Sequence, residues 1–183
     1  MQALSMARRD YRFLDDEEDR LQFIARMREV REAFIAMRSV VPEARWYEMR
    51  HEGWSLAAIL GHLQWMDRLH LLQVQLAIWN LPFPFSARTW ERVTGWQQRI
   101  FQRRLMKSSV DGIRGALPDQ EEFILQMAVD DFSKRLTYAP TGQVLTVEQA
   151  VQEFLLFFWQ DRLRALRIAE GLHSTPGDWP RQG

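Results

Sequence analysis

The chain has 183 residues, and its 24 basic and 24 acidic side chains give a formal net charge of zero. The balanced charge argues against a nucleic-acid-binding protein, and the absence of cysteine excludes disulfides, thiolate metal sites and cysteine nucleophiles. The longest purely apolar run, Phe154–Trp159, is far shorter than the ~20 residues of a membrane span, and the N-terminal residues lack a signal-peptide pattern, so we predict a cytoplasmic protein without membrane contact.

The first two predicted helices follow from apolar periodicity and capping. The first extends from about Asp16 to Val41, and its apolar residues, spaced by fours and threes, lie on one face. An acidic run opens this helix, where negative charge stabilises the helix dipole. The second helix begins after the N-cap Ser55 and continues to about Trp79, with a broad apolar side that indicates several neighbours.

The middle of the chain is less regular. Ser86 opens a third helical segment, rich in Trp, Gln and Arg, which ends near Arg104. Lys107–Leu117 contains two glycines and is predicted to be a loop or a short turn. The fourth helix is expected to begin at Pro118, because proline is favoured in a first helical turn. Its predicted apolar stripe is Leu125, Val129, Phe132 and Leu136.

The fifth helix begins at Thr146, which forms a Thr-x-x-Gln capping-box pattern with Gln149. Its predicted core stripe is Ala150, Phe154, Phe157, Asp161, Ala165 and Ile168. Gly171 ends the helix, so we place a single domain at 1–172 and a loose tail at 173–183. Since no stretch alternates with a period of two, we predict an all-α fold, a four-helix bundle with a long crossover and one irregular extra helical segment.

Two polar residues interrupt the predicted apolar stripes. His62 lies in line with Ile59 and Met66 on the second helix, and Asp161 lies one turn after Phe157. A buried carboxylate is costly unless it is paired. A functional interpretation brings the two together as metal ligands or as an acid/base pair, in which Asp161 holds the imidazole tautomer and His62 takes a proton. A structural interpretation pairs Asp161 with an arginine and leaves His62 a hydrogen-bonded core histidine.

The other polar motifs are given structural interpretations. Glu48-x-x-His51 matches the di-iron Glu-x-x-His pattern, but it is a single copy in a connecting segment, and we treat it as chance. His70 lies two turns after His62, where it either lines the same cavity or, as we expect, lies on the helix surface. The Arg-Leu-Arg run at 162–164 is interpreted as a solvated or ion-paired face.

Two stretches of the chain resemble the DinB-like superfamily of four-helix-bundle proteins. The stretch WSLAAILGHL at 54–63, followed by Asp67, is similar to the family's W-s-x-x-x-x-l-x-H-L second helix. The stretch TGQVLTV at 141–147 is similar to the family's G-x-x-x-T-v entry to its last helix. The family includes metal-dependent thiol S-transferases and uncharacterised stress-associated proteins. The resemblance implies the bundle fold and a cavity shared by His62 and Asp161.

The family's metal site takes one histidine from the second helix and an H-x-x-x-H pair from the last. His62 matches the first ligand, while Phe157 and Asp161 stand at the pair, so one ligand is lost and one is a carboxylate. Because catalytic zinc sites normally take three protein ligands, the resemblance implies a degenerate metal site. We expect no cofactor. The alternative is residual binding of Zn or Ni by His62 and Asp161, completed by an unidentified ligand or by waters.

An aromatic cavity is the main functional prediction. Its expected lining is Trp65, Met66, Phe157, Phe158 and Trp159, with His62 and Asp161 as the acid/base pair. We predict a small-molecule-handling enzyme of the transferase or hydrolase type that has lost the three-histidine metal site. The alternative is a non-catalytic protein that binds a small molecule or acts as a stress-associated interaction partner. The uneven third segment indicates a homodimer interface.

Overall fold

Helices make up most of the chain over residues 9–172, which the computed structural model describes apart from the side chains at 87, 91 and 94. The predicted tail at 173–183 lies outside these residues. The helices are α1 (Glu17–Val40), α2 (Leu56–Ile78), α3 (Ala87–Phe101), α4 (Met106–Gln126), α5 (Val129–Phe132), α6 (Val147–Gln152) and α7 (Phe158–Ala169). A 3₁₀ turn lies at Glu43–Arg45, and a π-helical turn at Glu153–Phe157 joins α6 to α7. The strands are β1 (Arg135–Tyr138) and β2 (Gln143–Thr146).

Side-chain caps fix where the predicted helices begin. Asp16, Ser55 and Ser86 each accept a hydrogen bond from the backbone N–H three residues later, at the starts of α1, α2 and α3. At Thr146 both halves of the predicted capping box form, because the hydroxyl accepts from the N–H of Gln149 while the Gln149 side chain accepts from the N–H of Thr146. The predicted starts of these three helices and of α6 are therefore confirmed.

Helix α4 begins at Met106, so the predicted loop at Lys107–Leu117 and the predicted helix start at Pro118 are both wrong. Pro118 lies inside α4, and α4 packs against α1 and α2. Gly112 serves this packing, since a Cβ atom there would lie 1.8 Å from Nε2 of Gln64 on α2. Burial of the apolar face of α4 therefore outweighs the hydrogen bond that Pro118 lacks.

A two-stranded antiparallel sheet interrupts the helical chain, where the sequence predicts no strand. Leu136 of β1 pairs with Leu145 of β2, and both side chains are buried in the core. Leu136 therefore belongs to a strand and not to the predicted fourth helix. Each strand has only four residues, which is too short for a period-two pattern to be recognised. Gly142, with φ of +70°, closes the turn between the strands.

The rod formed by α6, the π-helical turn and α7 changes its buried face at that turn. Phe154 and Phe157 are buried as predicted, but the buried apolar side chains after the turn include Leu163 and Leu166. The predicted stripe positions in α7 are half-buried or exposed: Asp161, Ala165 and Ile168. A π-helical turn holds an extra residue, so it rotates every later side chain about the helix axis. This rotation is the physical reason that the predicted stripe fails after Phe157.

A buried ion pair lies inside the core, where the sequence predicts only apolar packing. Arg31 of α1 is 0% exposed, and it donates to the carboxylate of Asp67 at 3.0 Å and to the backbone oxygen of Leu155 at 2.8 Å. Gln120 and Trp159 donate to the same carboxylate at 3.1 and 2.7 Å. This network joins α1, α2, α4, α7 and the π-helical turn, and it fixes how these helices pack.

Candidate functional site

A cavity of about 240 Å³ lies between α2, α7 and the loop that precedes α2. Apolar side chains of α2 and α7, among them Ile59, Leu63 and Leu166, form one side of it. The polar side chains on the wall are His62, Arg162 and those of residues 50–52. We call it the His62 cavity. An apolar lining with a few convergent polar groups is typical of a small-molecule site.

A side chain of α3 orients His62. Its Nδ1 lies 2.8 Å from Oε1 of the buried Gln97, so Nδ1 carries the proton and donates, and Nε2 is unprotonated. The indole of Trp54 lies against the imidazole, with the ring centroids 5.0 Å apart. Burial lowers the pKa of His62 to about 4, so the ring is neutral at pH 7. Nε2 is buried and has no hydrogen-bond partner in the described part of the chain.

Arg162 of α7 is the second polar group of the cavity, although the sequence indicates only a solvated or ion-paired position. Its guanidinium lies 5.5 Å from the centroid of the Phe158 ring, and its side chain is half-buried. Its buried Nε has no hydrogen-bond partner over residues 9–172. Burial lowers the pKa of Arg162 and the charge of Glu52 opposes this effect, while the guanidinium stays charged at pH 7.

The loop before α2 closes one side of the cavity. Backbone hydrogen bonds in both directions between His51 and Trp54 form a tight turn, in which Glu52 has φ of +51°. A non-glycine residue in this region costs about 1 kcal/mol or more, so the surrounding contacts hold the turn. Glu170 supplies such contacts, at 3.4 Å to Arg50 and 3.1 Å to His51. His51 therefore acts in a loop contact, in keeping with the interpretation of Glu48-x-x-His51 as chance.

The structure does not bring Asp161 and His62 together. Asp161 is not among the described residues that line the His62 cavity. Its carboxylate accepts hydrogen bonds from Arg9 at 2.5 and 3.3 Å, and Arg9 also donates to Glu153 at 3.2 Å. Asp161 is thus paired with an arginine, as the structural interpretation predicts, and this arginine is Arg9 of the N-terminal segment. The rotation at the π-helical turn turns Asp161 toward that segment and Arg162 toward the cavity.

The predicted aromatic wall is also absent from this cavity. Five residues expected to line it are not among its described lining: Trp65, Met66, Phe157, Phe158 and Trp159. Trp159 and Met66 are buried in the core, and Trp65 packs against the core from a half-buried position. Phe157 contacts Tyr11 edge to face, and Phe158 contacts the ring of His70 in the same way. These bulky side chains, which the sequence predicts to line a ligand cavity, therefore pack in the core or against it.

His70 is fully buried among aromatic rings, so its expected place on the helix surface is wrong. The ring of Phe154 stacks on the imidazole with the centroids 4.2 Å apart. Three further rings surround it: Trp90, Tyr138 and Phe158. Neither ring nitrogen has a hydrogen-bond partner within the described residues, and burial lowers the pKa of His70 to about 3. The spacing of four from the buried Met66 and Val74 is a sequence signal for this burial.

The donors present do not fit the family's metal. Over residues 9–172, no group of three or more His, Cys, Asp or Glu side chains could hold a metal ion. His62 and Asp161, the two ligands that the resemblance implies, have Gln97 and Arg9 as their hydrogen-bond partners instead. Gln97 had no signal in the sequence, because it is one of several glutamines on an irregular helix.

Comparison with models of protein families, with curated proteins and with solved structures found no match to this chain. The resemblance to the DinB-like superfamily therefore rests on its two motifs. In the described part of the chain, no helix has both the length and the apolar character that crossing a membrane requires.

Proposed function

We propose that this protein is a hydrolytic enzyme that acts on a small molecule in the His62 cavity. The observation that carries this proposal is the state of His62, a neutral imidazole whose Nδ1 is held by Gln97 and whose Nε2 has no protein partner. A neutral imidazole fixed in one tautomer is suited to act as a general base. Gln97 therefore orients the imidazole of His62, a role that the sequence predicts for Asp161.

The cavity supports attack by water. In the described lining there is no serine, threonine or cysteine, so the chain offers no usual nucleophile there. In the proposed step Nε2 of His62 takes a proton from water, and the water oxygen forms a bond to the substrate carbonyl carbon. The bond to the leaving group then breaks, and the proton passes from His62 to the leaving oxygen. Arg162 gives the cavity a positive charge that attracts negative charge on the bound molecule.

A survey with chromogenic esters tests this function. We expect wild-type protein to hydrolyse 4-nitrophenyl acetate or 4-nitrophenyl butyrate, and His62→Ala, checked by circular dichroism to be folded, to lose about 100-fold or more of kcat/KM. Gln97→Ala loses less, about tenfold, because the imidazole is retained but not oriented. Arg164→Ala, on an exposed position of α7, is the control and keeps full activity. Retained hydrolysis in folded His62→Ala would overturn the proposal.

Non-catalytic binding is the second candidate. Three buried polar atoms of the cavity lining lack hydrogen-bond partners within residues 9–172, namely Nε2 of His62, Nδ1 of His51 and Nε of Arg162. Buried polar atoms are normally satisfied, so a bound molecule would be their partner once a small side-chain rotation exposes them to the cavity. Native mass spectrometry of the protein as purified would then show a bound molecule, and the esters would not be hydrolysed.

We further propose the four-helix bundle of the DinB-like type, with α1, α2, α4 and the α6–α7 rod as its helices and α3 as the extra segment. The packing of α1 and α2 on α4, and of the rod on α1 and α2, supports this arrangement. The cytoplasmic location and the homodimer stay predictions from the sequence. Light scattering at micromolar concentration separates a dimer from a monomer.

A further inference from the structure

We infer that the His62 cavity takes a small monocarboxylate, with Arg162 binding the carboxylate and the apolar wall holding the rest of the molecule. This inference rests on the proposed function in one respect, namely that the His62 cavity is the ligand site. It names the charged group that the bound molecule carries, which the state of His62 alone leaves open.

The other cation of the cavity wall, Arg50, is already paired with a carboxylate. Arg50 and His51 both contact the carboxylate of Glu170, at 3.4 and 3.1 Å. The charge of Arg50 is therefore paired with Glu170. Glu52 favours the charged form of Arg162, but it is exposed and forms no hydrogen bond with the guanidinium in the described part of the chain. Among the described residues of the lining, Arg162 is therefore the cation without a hydrogen-bonded carboxylate.

The second carboxylate close to Arg162, that of Asp161, is paired with another arginine. Asp161 also favours the charge of Arg162, but its oxygens accept hydrogen bonds from Arg9. Burial disfavours the guanidinium charge, and the ring of Phe158 beneath it supplies only a weak attraction. A ligand carboxylate would offset the cost of this burial, since guanidinium and carboxylate form paired, charge-assisted hydrogen bonds.

The charge and the volume of the cavity favour a small carboxylate over a phosphate. One guanidinium matches the single charge of a carboxylate, whereas the second charge of a phosphate dianion would find no unpaired cation among the described lining residues. The cavity of about 240 Å³ equals about eight water molecules, which suits a compact molecule. Trp54, Ile59 and Leu166 offer apolar surface for its body. A small acid with an aromatic or branched apolar body fits these requirements.

Matched probes test the inference without any need for turnover. Phenylacetate and phenylacetamide have the same body and differ in charge, and their affinities can be measured by ligand-observed NMR titration. We expect wild-type protein to bind phenylacetate at least about tenfold more tightly than phenylacetamide. Arg162→Gln should abolish this preference, while Arg164→Gln, an exposed position two residues later, should keep it.

The outcomes separate this inference from the proposed function. Equal affinity for the two probes, an unchanged preference in Arg162→Gln, or no binding of either probe at millimolar concentration would each overturn the inference. Ester hydrolysis that survives in His62→Ala overturns the proposed function and leaves the carboxylate preference intact. If Arg162→Gln does not fold, Arg162→Lys is the test. Lysine keeps the charge but cannot form the two parallel hydrogen bonds of a guanidinium, so phenylacetate binding should weaken at least about threefold while phenylacetamide binding is unaffected.

Discussion

Replacing Asp67 by alanine should destabilise this protein far more than removal of a surface ion pair. The carboxylate of Asp67 accepts hydrogen bonds from three buried donors, on Arg31, Gln120 and Trp159. Removing it leaves the Arg31 charge without its partner in the core, where breaking a buried pair costs about 3–5 kcal/mol. For a chain of this size each kcal/mol lowers the melting temperature by about 2–4 °C, so we expect a loss of roughly 6–20 °C.

Urea unfolding followed by circular dichroism measures this cost as a shift of the midpoint at constant m-value. Glu32→Ala is the matched control, because its exposed pair with Arg114 should leave the midpoint nearly unchanged. The double variant Arg31→Met, Asp67→Leu should recover part of the loss, since apolar side chains can replace a buried ion pair while Gln120 and Trp159 still lack their acceptor. A cost below about 1 kcal/mol for Asp67→Ala, or no recovery in the double variant, would refute this reasoning.

Three further predictions concern acid sensitivity, capping and metal content. Folding lowers the pKa values of His62 and His70 from 6.5 to about 4 and about 3. As the pH falls, these histidines therefore bind protons in the unfolded chain before they do so in the folded protein. Stability should therefore be full above about pH 7.5 and fall by about 2 kcal/mol per histidine by pH 5, with a shallower loss of the urea midpoint in His70→Phe. Thr146→Ala should cost about 1 kcal/mol in the same assay through loss of the capping box, and an unchanged midpoint would contradict the assigned cap. Elemental analysis of protein purified without chelator should find less than about a tenth of an equivalent of Zn or Ni, and a stoichiometric metal would contradict this expectation, which rests on the donors of residues 9–172.

The sequence by itself determined the local features of this fold. Ser55 and Thr146 cap helices as their types and spacing predict, and the stripe of α1 is buried along the length predicted for it. These signals depend on side chains within about one helical turn of each other, so one segment contains all the information needed. His62 could be selected in the same way, as a polar residue on an apolar face.

Only the tertiary structure decided how the segments use these residues. Gly112 and Pro118 are breaking signals in sequence, yet burial of α4 against α1 and α2 keeps them helical. The π-helical turn takes Asp161 away from the face that the spacing assigns to it. The hydrogen bond of Gln97 to His62 joins side chains 35 positions apart. Such contacts depend on the distance between atoms of separate helices, which neither residue type nor local spacing encodes.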